Sequence, residues 1–228
     1  MQHPSHHSPV NPLPPVVWLL ATPIALVELL LSAGRYGFAG GPGGIGWRTA
    51  AIEDYGFYDI LFDRMLATGD IAASDLMRMV SYVFVSFSFT QTLFVIVFIL
   101  ALGKMVGEIL RPWAVVLVFF ASAIVGAAAY GLLLDEARPL AGGYPAVYGL
   151  IGAFTYLMSV SLAAKGDSRY GAFTLIGFLL GIQLLFTLLF GGSNDWVADL
   201  AGFFTGFGLS ILVSPGGWRR LRARLQQR

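Results

Sequence analysis

Long hydrophobic segments alternate with shorter polar connections along the chain, and this alternation is the dominant pattern of the sequence. Each segment has close to the ~20 residues that an α-helix needs to cross the ~30 Å hydrocarbon core of a bilayer. Because lipid offers the backbone no hydrogen-bond partner, such segments are expected to be helices rather than open strands. The pattern therefore predicts an all-α membrane protein with six spans, at residues 16–33, 79–102, 113–134, 146–164, 172–190 and 196–213.

The composition supports the same class of protein. Of the 228 residues, 57% are hydrophobic and 12% are charged, and the mean hydropathy is +0.74. A water-soluble domain of this length does not need so much apolar surface. The chain has no cysteine, which excludes disulfides, thiolate metal sites and a cysteine nucleophile. The first span is too long for a cleavable signal peptide and lacks a basic start, so we expect it to stay in the membrane.

The regions outside the spans differ in composition and define the predicted organisation. Residues 1–14 are polar and proline-rich and are predicted to be a disordered tail. Residues 15–213 form the membrane domain, whose long first loop (about 34–78) places apolar residues among charges at helical spacing. Such an amphipathic segment is expected to lie in the membrane interface. Residues 214–228 form a basic tail that fits an anchor on anionic lipid headgroups.

The distribution of charge predicts the orientation in the membrane. With six spans, the two termini share one side with the second and fourth loops, and this side carries far more basic than acidic residues. Its basic residues are Lys104, Arg111, Lys165, Arg169, Arg219, Arg220, Arg222, Arg224 and Arg228. Basic residues mark the cytoplasmic face, so both termini are predicted to be cytoplasmic and the first loop external.

Two ionisable residues, Glu28 and Asp199, fall within predicted spans. A charged group at the centre of a membrane helix costs roughly 2.5–3.5 kcal/mol on insertion scales, so Asp199 calls for a partner. Glu28 could face a wet groove or a partner protein, or be protonated and paired with a neighbouring helix. A small transporter that uses Glu28 and Asp199 as a proton path is one possible function, although the sequence shows no inverted repeats.

Two glycine-rich motifs open the fourth and sixth spans. Residues 142–149 read Gly-Gly-Tyr-Pro-Ala-Val-Tyr-Gly, and residues 197–202 read Val-Ala-Asp-Leu-Ala-Gly. They resemble the motifs of the rhomboid intramembrane proteases, Gly-x-Ser-Gly-x-x-Tyr/Phe-Gly and Ala-His-x-x-Gly-x-x-x-Gly, which carry the nucleophilic serine and the general base. Tyr144 stands where the serine would be, and Asp199 where the histidine would be.

The resemblance extends over about residues 76–213, because residues 76–84 and 102–108 are similar to the family's entry into and exit from its second helix. It implies a six-helix rhomboid-like bundle with a long interfacial first loop, in a bacterial inner membrane. In active rhomboids the second helix also supplies a histidine and an asparagine to the oxyanion site. The matching positions here are Ser86, Gln91 and Val95, of which Gln91 alone could donate a hydrogen bond to an oxyanion.

The residues themselves argue against catalysis, independently of the resemblance. All three histidines (His3, His6 and His7) lie in the N-terminal tail, where we interpret them as solvated side chains rather than metal ligands. Asp199 is too weak a base to deprotonate the phenol of Tyr144, and Pro145 would remove a backbone donor beside it. The His-Glu-x-x-His motif of metalloproteases and the paired membrane aspartates of aspartyl proteases are missing. We therefore expect no metal and no cofactor.

The altered residues suggest a structural role instead. We hypothesise that a hydrogen bond between Tyr144 and Asp199 fills the former catalytic cavity and joins the fourth helix to the sixth. The alternative is that Asp199 is protonated or hydrated in a leftover cavity and has no role. The residues expected to pack the helices closely around this position are Gly142, Pro145, Gly149, Gly152, Gly202 and Gly206.

The function that follows is that of a rhomboid-like pseudoprotease. Rhomboids recognise a substrate helix laterally, between their second and fifth helices, and this surface does not require the catalytic residues. The chain is thus predicted to bind transmembrane segments of client proteins without cutting them, with no nucleic-acid partner. A rhomboid serine-type protease with residual or displaced activity is the alternative.

Overall fold

The computed structural model describes residues 12–69, 72–135, 137–166, 169–174, 177 and 194–214. Regular secondary structure in these ranges is helical, apart from one isolated antiparallel bridge between Phe57 and Leu140. The predicted N-terminal tail up to residue 11 and the basic tail from residue 215 lie outside the described residues.

Five helices in the described part of the chain are long and apolar enough to cross a membrane. They are α1 (Pro15–Arg35), α5 (Phe89–Gly107), α6 (Pro112–Leu133), α7 (Tyr144–Lys165) and α8 (Trp196–Val213). The chain is therefore a multi-pass membrane protein. The predicted fifth span, 172–190, lies almost entirely outside the described residues, and a short 3₁₀ helix (Arg169–Phe173) overlaps its start.

Local sequence signals account for the ends of these helices. Proline occupies the first turn of α1, α6 and α7, where its missing N–H would have no partner within the helix. Ser88 caps α5, because its hydroxyl accepts a hydrogen bond from the Gln91 amide (3.2 Å). Helix α7 ends at Gly166, whose positive φ of 80° is a conformation that glycine adopts without steric cost.

The second span begins later than the sequence predicts. Residues 79–81, assigned to this span from hydropathy, end the separate helix α4 (Ala73–Ser81), and a 3₁₀ turn follows at Tyr82–Phe84. The chain is then extended at Val85 and Ser88, and α5 starts at Phe89. Hydropathy did not reveal this break, because Tyr82 and Val83 are apolar residues buried in the protein core rather than in lipid.

Three short helices connect α1 to α5. They are α2 (Trp47–Tyr55), α3 (Asp59–Thr68) and α4, and a 3₁₀ helix (Gly41–Gly46) precedes them. The bridge at Phe57 pairs this connection with the segment that precedes α7, through Phe57 N to Leu140 O (3.0 Å) and Leu140 N to Phe57 O (2.8 Å). The connection between the first two spans is thus joined to the residues that lead into α7.

Helices α6, α7 and α8 form the centre of the protein. The N-terminal half of α7 is buried at every residue from Pro145 to Ala153. A Cβ atom added at Gly149 would overlap the Ser122 hydroxyl of α6, and one added at Gly206 would overlap the Gly149 carbonyl. Small residues therefore allow the backbones of α7 and α8 to touch, as is common for helix pairs in membranes.

Candidate functional site at the start of helix α7

The turn before α7 depends on Gly142. Its φ is +112°, a value that side chains rarely permit, and a Cβ atom there would overlap the Gln91 side-chain nitrogen. The Gly142 amide donates to the Tyr82 carbonyl (2.9 Å), and the Tyr82 hydroxyl donates to the Ala123 carbonyl of α6 (2.9 Å). The entry into α7 is thus fixed to both the segment before α5 and helix α6.

Asp199 lies in the first turn of α8 and is almost completely buried, with 2% of its surface exposed. Its carboxylate interacts electrostatically with three tyrosines: Tyr82, Tyr144 and Tyr148. Tyr82 and Tyr148 are buried, and Tyr144, the first residue of α7, is partly buried. The residues that the sequence paired are therefore near each other, and the hydrogen bond between them stays a prediction.

Gln91 forms a bridge between two backbone segments. Its side-chain oxygen accepts from the Phe87 amide (3.0 Å), and its side-chain nitrogen donates to the Ala141 carbonyl (2.9 Å). An amide nitrogen carries two hydrogens, so one of its donors is already engaged. Gln91 thus ties the segment before α5 to the turn before α7.

The other two positions matched to the oxyanion site are buried. Val95 is completely buried, and a Cβ atom at Gly143 would come within 2.8 Å of its side chain. An aliphatic side chain therefore covers the backbone just before Tyr144. Ser86 is also buried, and its carbonyl accepts a hydrogen bond from Arg48 (2.7 Å).

Pro145 packs where three helices meet. A Cβ atom at Gly126 of α6 would lie 2.8 Å from the Pro145 side chain and 2.9 Å from the Ala198 carbonyl of α8, and one at Gly202 would overlap the Pro145 carbonyl. The sequence analysis included Pro145 and Gly202 but missed Gly126. The spacing of Ser122 and Gly126, two small residues four apart in an apolar helix, is the signal that could have found it.

Comparison with protein families gives a match to the Rhomboid domain over residues 73–216, which is more than half of the chain. The chain belongs to the rhomboid family. A search of curated proteins gave no match. The rhomboid match runs from the start of α4 to just beyond the end of α8, so it includes the whole site around Tyr144 and Asp199 and leaves α1, α2 and α3 outside.

The rhomboid domain contacts a polar cluster that centres on Glu28, outside the matched region. The Glu28 carboxylate accepts from Arg48 of α2, from Ser32 of α1 and from Thr92 of α5. The structure pairs Glu28 within the protein, with the guanidinium of Arg48 as the main partner, an ion pair that none of the alternatives from the sequence included. The sequence analysis missed Arg48, although the need of a membrane carboxylate for a cation restricts the choice to a few arginines of the first loop.

Two further arginines hold the segments around the site. Arg138, just before α7, lies with its guanidinium 4.3 Å from the centre of the Phe87 ring. Arg78 of α4 donates to the Glu53 and Gly56 carbonyls at the end of α2 (2.7 and 2.9 Å). Within the described residues there is no group of histidine, cysteine and acidic side chains that could hold a metal ion.

Proposed function

We propose that this rhomboid is a pseudoprotease, which binds transmembrane segments of client proteins without cleaving them. The observation that carries the proposal is the set of side chains at the start of α7. A tyrosine and a buried aspartate occupy the positions where the resemblance places a serine and a histidine. The sequence has no histidine after residue 7.

The chemistry of this pair does not favour peptide hydrolysis. A phenol has a pKa near 10 and an aspartate a pKa near 4, so proton transfer from Tyr144 to Asp199 is unfavourable by about six pKa units in water. An acyl-transfer enzyme also needs donors that point at the oxyanion. Val95 has no donor in its side chain, and one of the two side-chain N–H donors of Gln91 already bonds to the Ala141 carbonyl. The residues therefore support a rhomboid fold that does not hydrolyse peptide bonds.

The exposed face of α5 is the surface that we propose for client binding. Phe89, Leu93 and Val97 lie four residues apart on one side of the helix, and each is about half exposed. Rhomboids recognise a substrate helix laterally between their second and fifth spans. Helix α5 is the second span of this chain. The predicted fifth span lies outside the described residues, so the contacts are proposed for α5 alone.

The membrane arrangement that we propose follows from charge and from the resemblance. We propose six spans, with the long first loop (about 34–78) at the external interface and both termini in the cytoplasm. The residues 1–14 and 214–228 are then tails of the membrane domain 15–213, and the membrane is the bacterial inner membrane. The excess of basic residues on the cytoplasmic side supports this orientation.

The transporter alternative has less support. The Glu28 carboxylate accepts hydrogen bonds from Arg48, Ser32 and Thr92, which stabilise its charged form. A residue that carries protons must instead release and take them up during the cycle. Glu28 therefore fits a structural ion pair better than a proton carrier.

A cleavage assay tests the loss of the reaction. Purified protein in liposomes is given a fluorogenic transmembrane substrate, beside the variant Tyr144→Ser/Pro145→Gly/Asp199→His. We expect no cleavage by the native chain. Cleavage by the native chain would support the active-protease alternative and contradict the pseudoprotease, whereas cleavage by the variant alone would show that the scaffold lacks only its catalytic groups.

Photocrosslinking tests the client-binding surface. A benzophenone amino acid at Leu93 is expected to crosslink membrane-protein segments in native membranes. Leu29, on the lipid-exposed face of α1 and similarly exposed, is the matched control position. Equal and low yields at both positions would contradict client binding at α5, because both would then face lipid alone.

A further inference from the structure

Helix α2 is attached to the rest of the protein largely through polar contacts, apart from Trp47, whose ring packs against Gly34 of α1 and against Gly40. None of the nine residues of α2 is buried. Its C-terminal end is held by Arg78, which donates to the Glu53 and Gly56 carbonyls, and by the Ser81 hydroxyl, which donates to the Tyr55 carbonyl (2.9 Å). A helix that buries so little apolar surface belongs to the parts of a protein that open most easily. Its polar contacts therefore contribute much of what holds it in place.

The N-terminal end of α2 is held by Arg48. Its guanidinium binds the Glu28 carboxylate through both terminal nitrogens, at 2.5 Å to Oε1 and 3.0 Å to Oε2. The Ser32 and Thr92 hydroxyls donate to the same two oxygens, each at 2.7 Å. Helices α1, α2 and α5 thus meet at one carboxylate.

This ion pair is shielded from solvent. The side chain of Arg48 is 12% exposed and that of Glu28 is 5% exposed. In such an environment a charge is tolerated only while it is paired, so removing either partner leaves the other charge buried and uncompensated. The pair also has the two-pronged geometry that holds a guanidinium in a single orientation. Breaking it should therefore release α2 at this end.

Arg48 also contacts the segment that borders the candidate site. Its Nη1 atom donates to the Ser86 carbonyl (2.7 Å), in the extended stretch between the Tyr82–Phe84 turn and α5. The next residue, Phe87, is bound through its amide to Gln91, whose side chain reaches the turn before α7. A single arginine therefore connects the buried carboxylate of α1 to the edge of the site.

We propose that Glu28, Arg48 and the Ser86 carbonyl form a clasp, which controls the opening of residues 85–88 beside the site. While the ion pair is intact, α2 and this segment stay together and Ser86 stays buried. When the pair is broken, α2 loses its polar N-terminal attachment, Arg48 no longer holds the Ser86 carbonyl in place, and the two segments open together. The clasp operates whether the protein cleaves clients or only binds them, so it stands independently of the proposed function.

Cysteine labelling tests the clasp, because the native chain has no cysteine. Ser86→Cys places one thiol in the segment, at a residue that is 2% exposed. The protein is reconstituted in lipid nanodiscs, where both membrane faces are accessible, and treated with a charged maleimide. We expect slow labelling in the otherwise native chain and an increase of about a hundredfold or more with Glu28→Gln or Arg48→Gln, from the usual cost of breaking one side of a buried ion pair.

The matched control is Arg64→Gln in the same Ser86→Cys chain. Arg64 also forms an ion pair in this connection, with Asp75 (2.7 Å), but its side chain is 57% exposed. Its loss should leave labelling within about twofold of the native rate, because exposed ion pairs contribute little.

A second variant keeps the test decisive if the single substitutions prevent folding. Glu28→Leu/Arg48→Leu leaves no buried unpaired charge, and such apolar replacements of buried ion pairs commonly fold. This chain still lacks the donor to Ser86, so its thiol should again react faster than in the native background. Equal labelling in the native and double-leucine chains, with both folded, would overturn the proposal.

Discussion

Replacement of Gly206 by alanine is expected to force helices α7 and α8 apart. The added methyl group would overlap the carbonyl oxygen, the carbonyl carbon and the Cα of Gly149. All three are backbone atoms, so no side chain can rotate away to make room. The helices must separate by a large part of an ångström, and the close contacts of Gly152 and Gly202 along the same interface would loosen with them.

Gly208, two residues along the same helix, provides the matched control. A Cβ atom there meets nothing within 4 Å. Gly208→Ala is therefore expected to be neutral or to stabilise by up to ~1 kcal/mol, since alanine is the better helix former. Overpacking typically costs about 1–3 kcal/mol. The two variants should thus differ by about 1–4 kcal/mol in the free energy of unfolding, with Gly206→Ala the less stable.

Thermal or denaturant unfolding of the two variants in the same detergent measures this difference directly. The comparison removes the effect of helix propensity, because both substitutions are glycine to alanine in α8. If Gly206→Ala proved as stable as Gly208→Ala, the backbone contact between α7 and α8 could not be as close as the structure has it, and the packing argument would fail.

Three more substitutions test other contacts of the site by thermal unfolding. Gln91→Leu leaves the Ala141 carbonyl without its donor and should cost about 1–3 kcal/mol, whereas an unchanged melting temperature would deny the bridge. Tyr82→Phe removes one buried hydrogen bond and is expected to cost ~1 kcal/mol; a cost near zero would show that the hydroxyl contributes nothing. Asp199→Leu removes the carboxylate that three tyrosines surround and should lower the melting temperature. No change would favour an aspartate without a structural role.

The first and last spans illustrate what hydropathy can predict. The predicted residues 16–33 and 196–213 correspond to α1 (Pro15–Arg35) and α8 (Trp196–Val213). Both helices are long and apolar enough to span a membrane. This requirement on length and hydropathy applies to each segment separately, so it can be recognised in the local sequence. The start of α5 was misplaced for the opposite reason, since Tyr82 and Val83 are buried by other parts of the protein.

The candidate site was predictable in part. The motifs around Tyr144 and Asp199 led to the rhomboid family, and the structure places these two residues near each other. The bridge made by Gln91 was not foreseen, because the Phe87 amide and the Ala141 carbonyl are separated by more than fifty residues of chain. Side-chain hydrogen bonds depend on ångström distances between elements that local patterns do not specify.

The sequence by itself determined that this is a helical membrane protein, and its motifs indicated the rhomboid family to which it belongs. Those conclusions rest on local requirements: a span must be long, apolar and internally hydrogen-bonded in lipid. The tertiary structure alone decided which partner each buried polar group has. The sequence placed Glu28 within a span but did not identify its partner. The partner became clear only from the folding of α2 against α1 and α5, which brings Arg48 to the Glu28 carboxylate. The cost of a buried charge depends on the groups that surround it in space, and these come from distant parts of the chain.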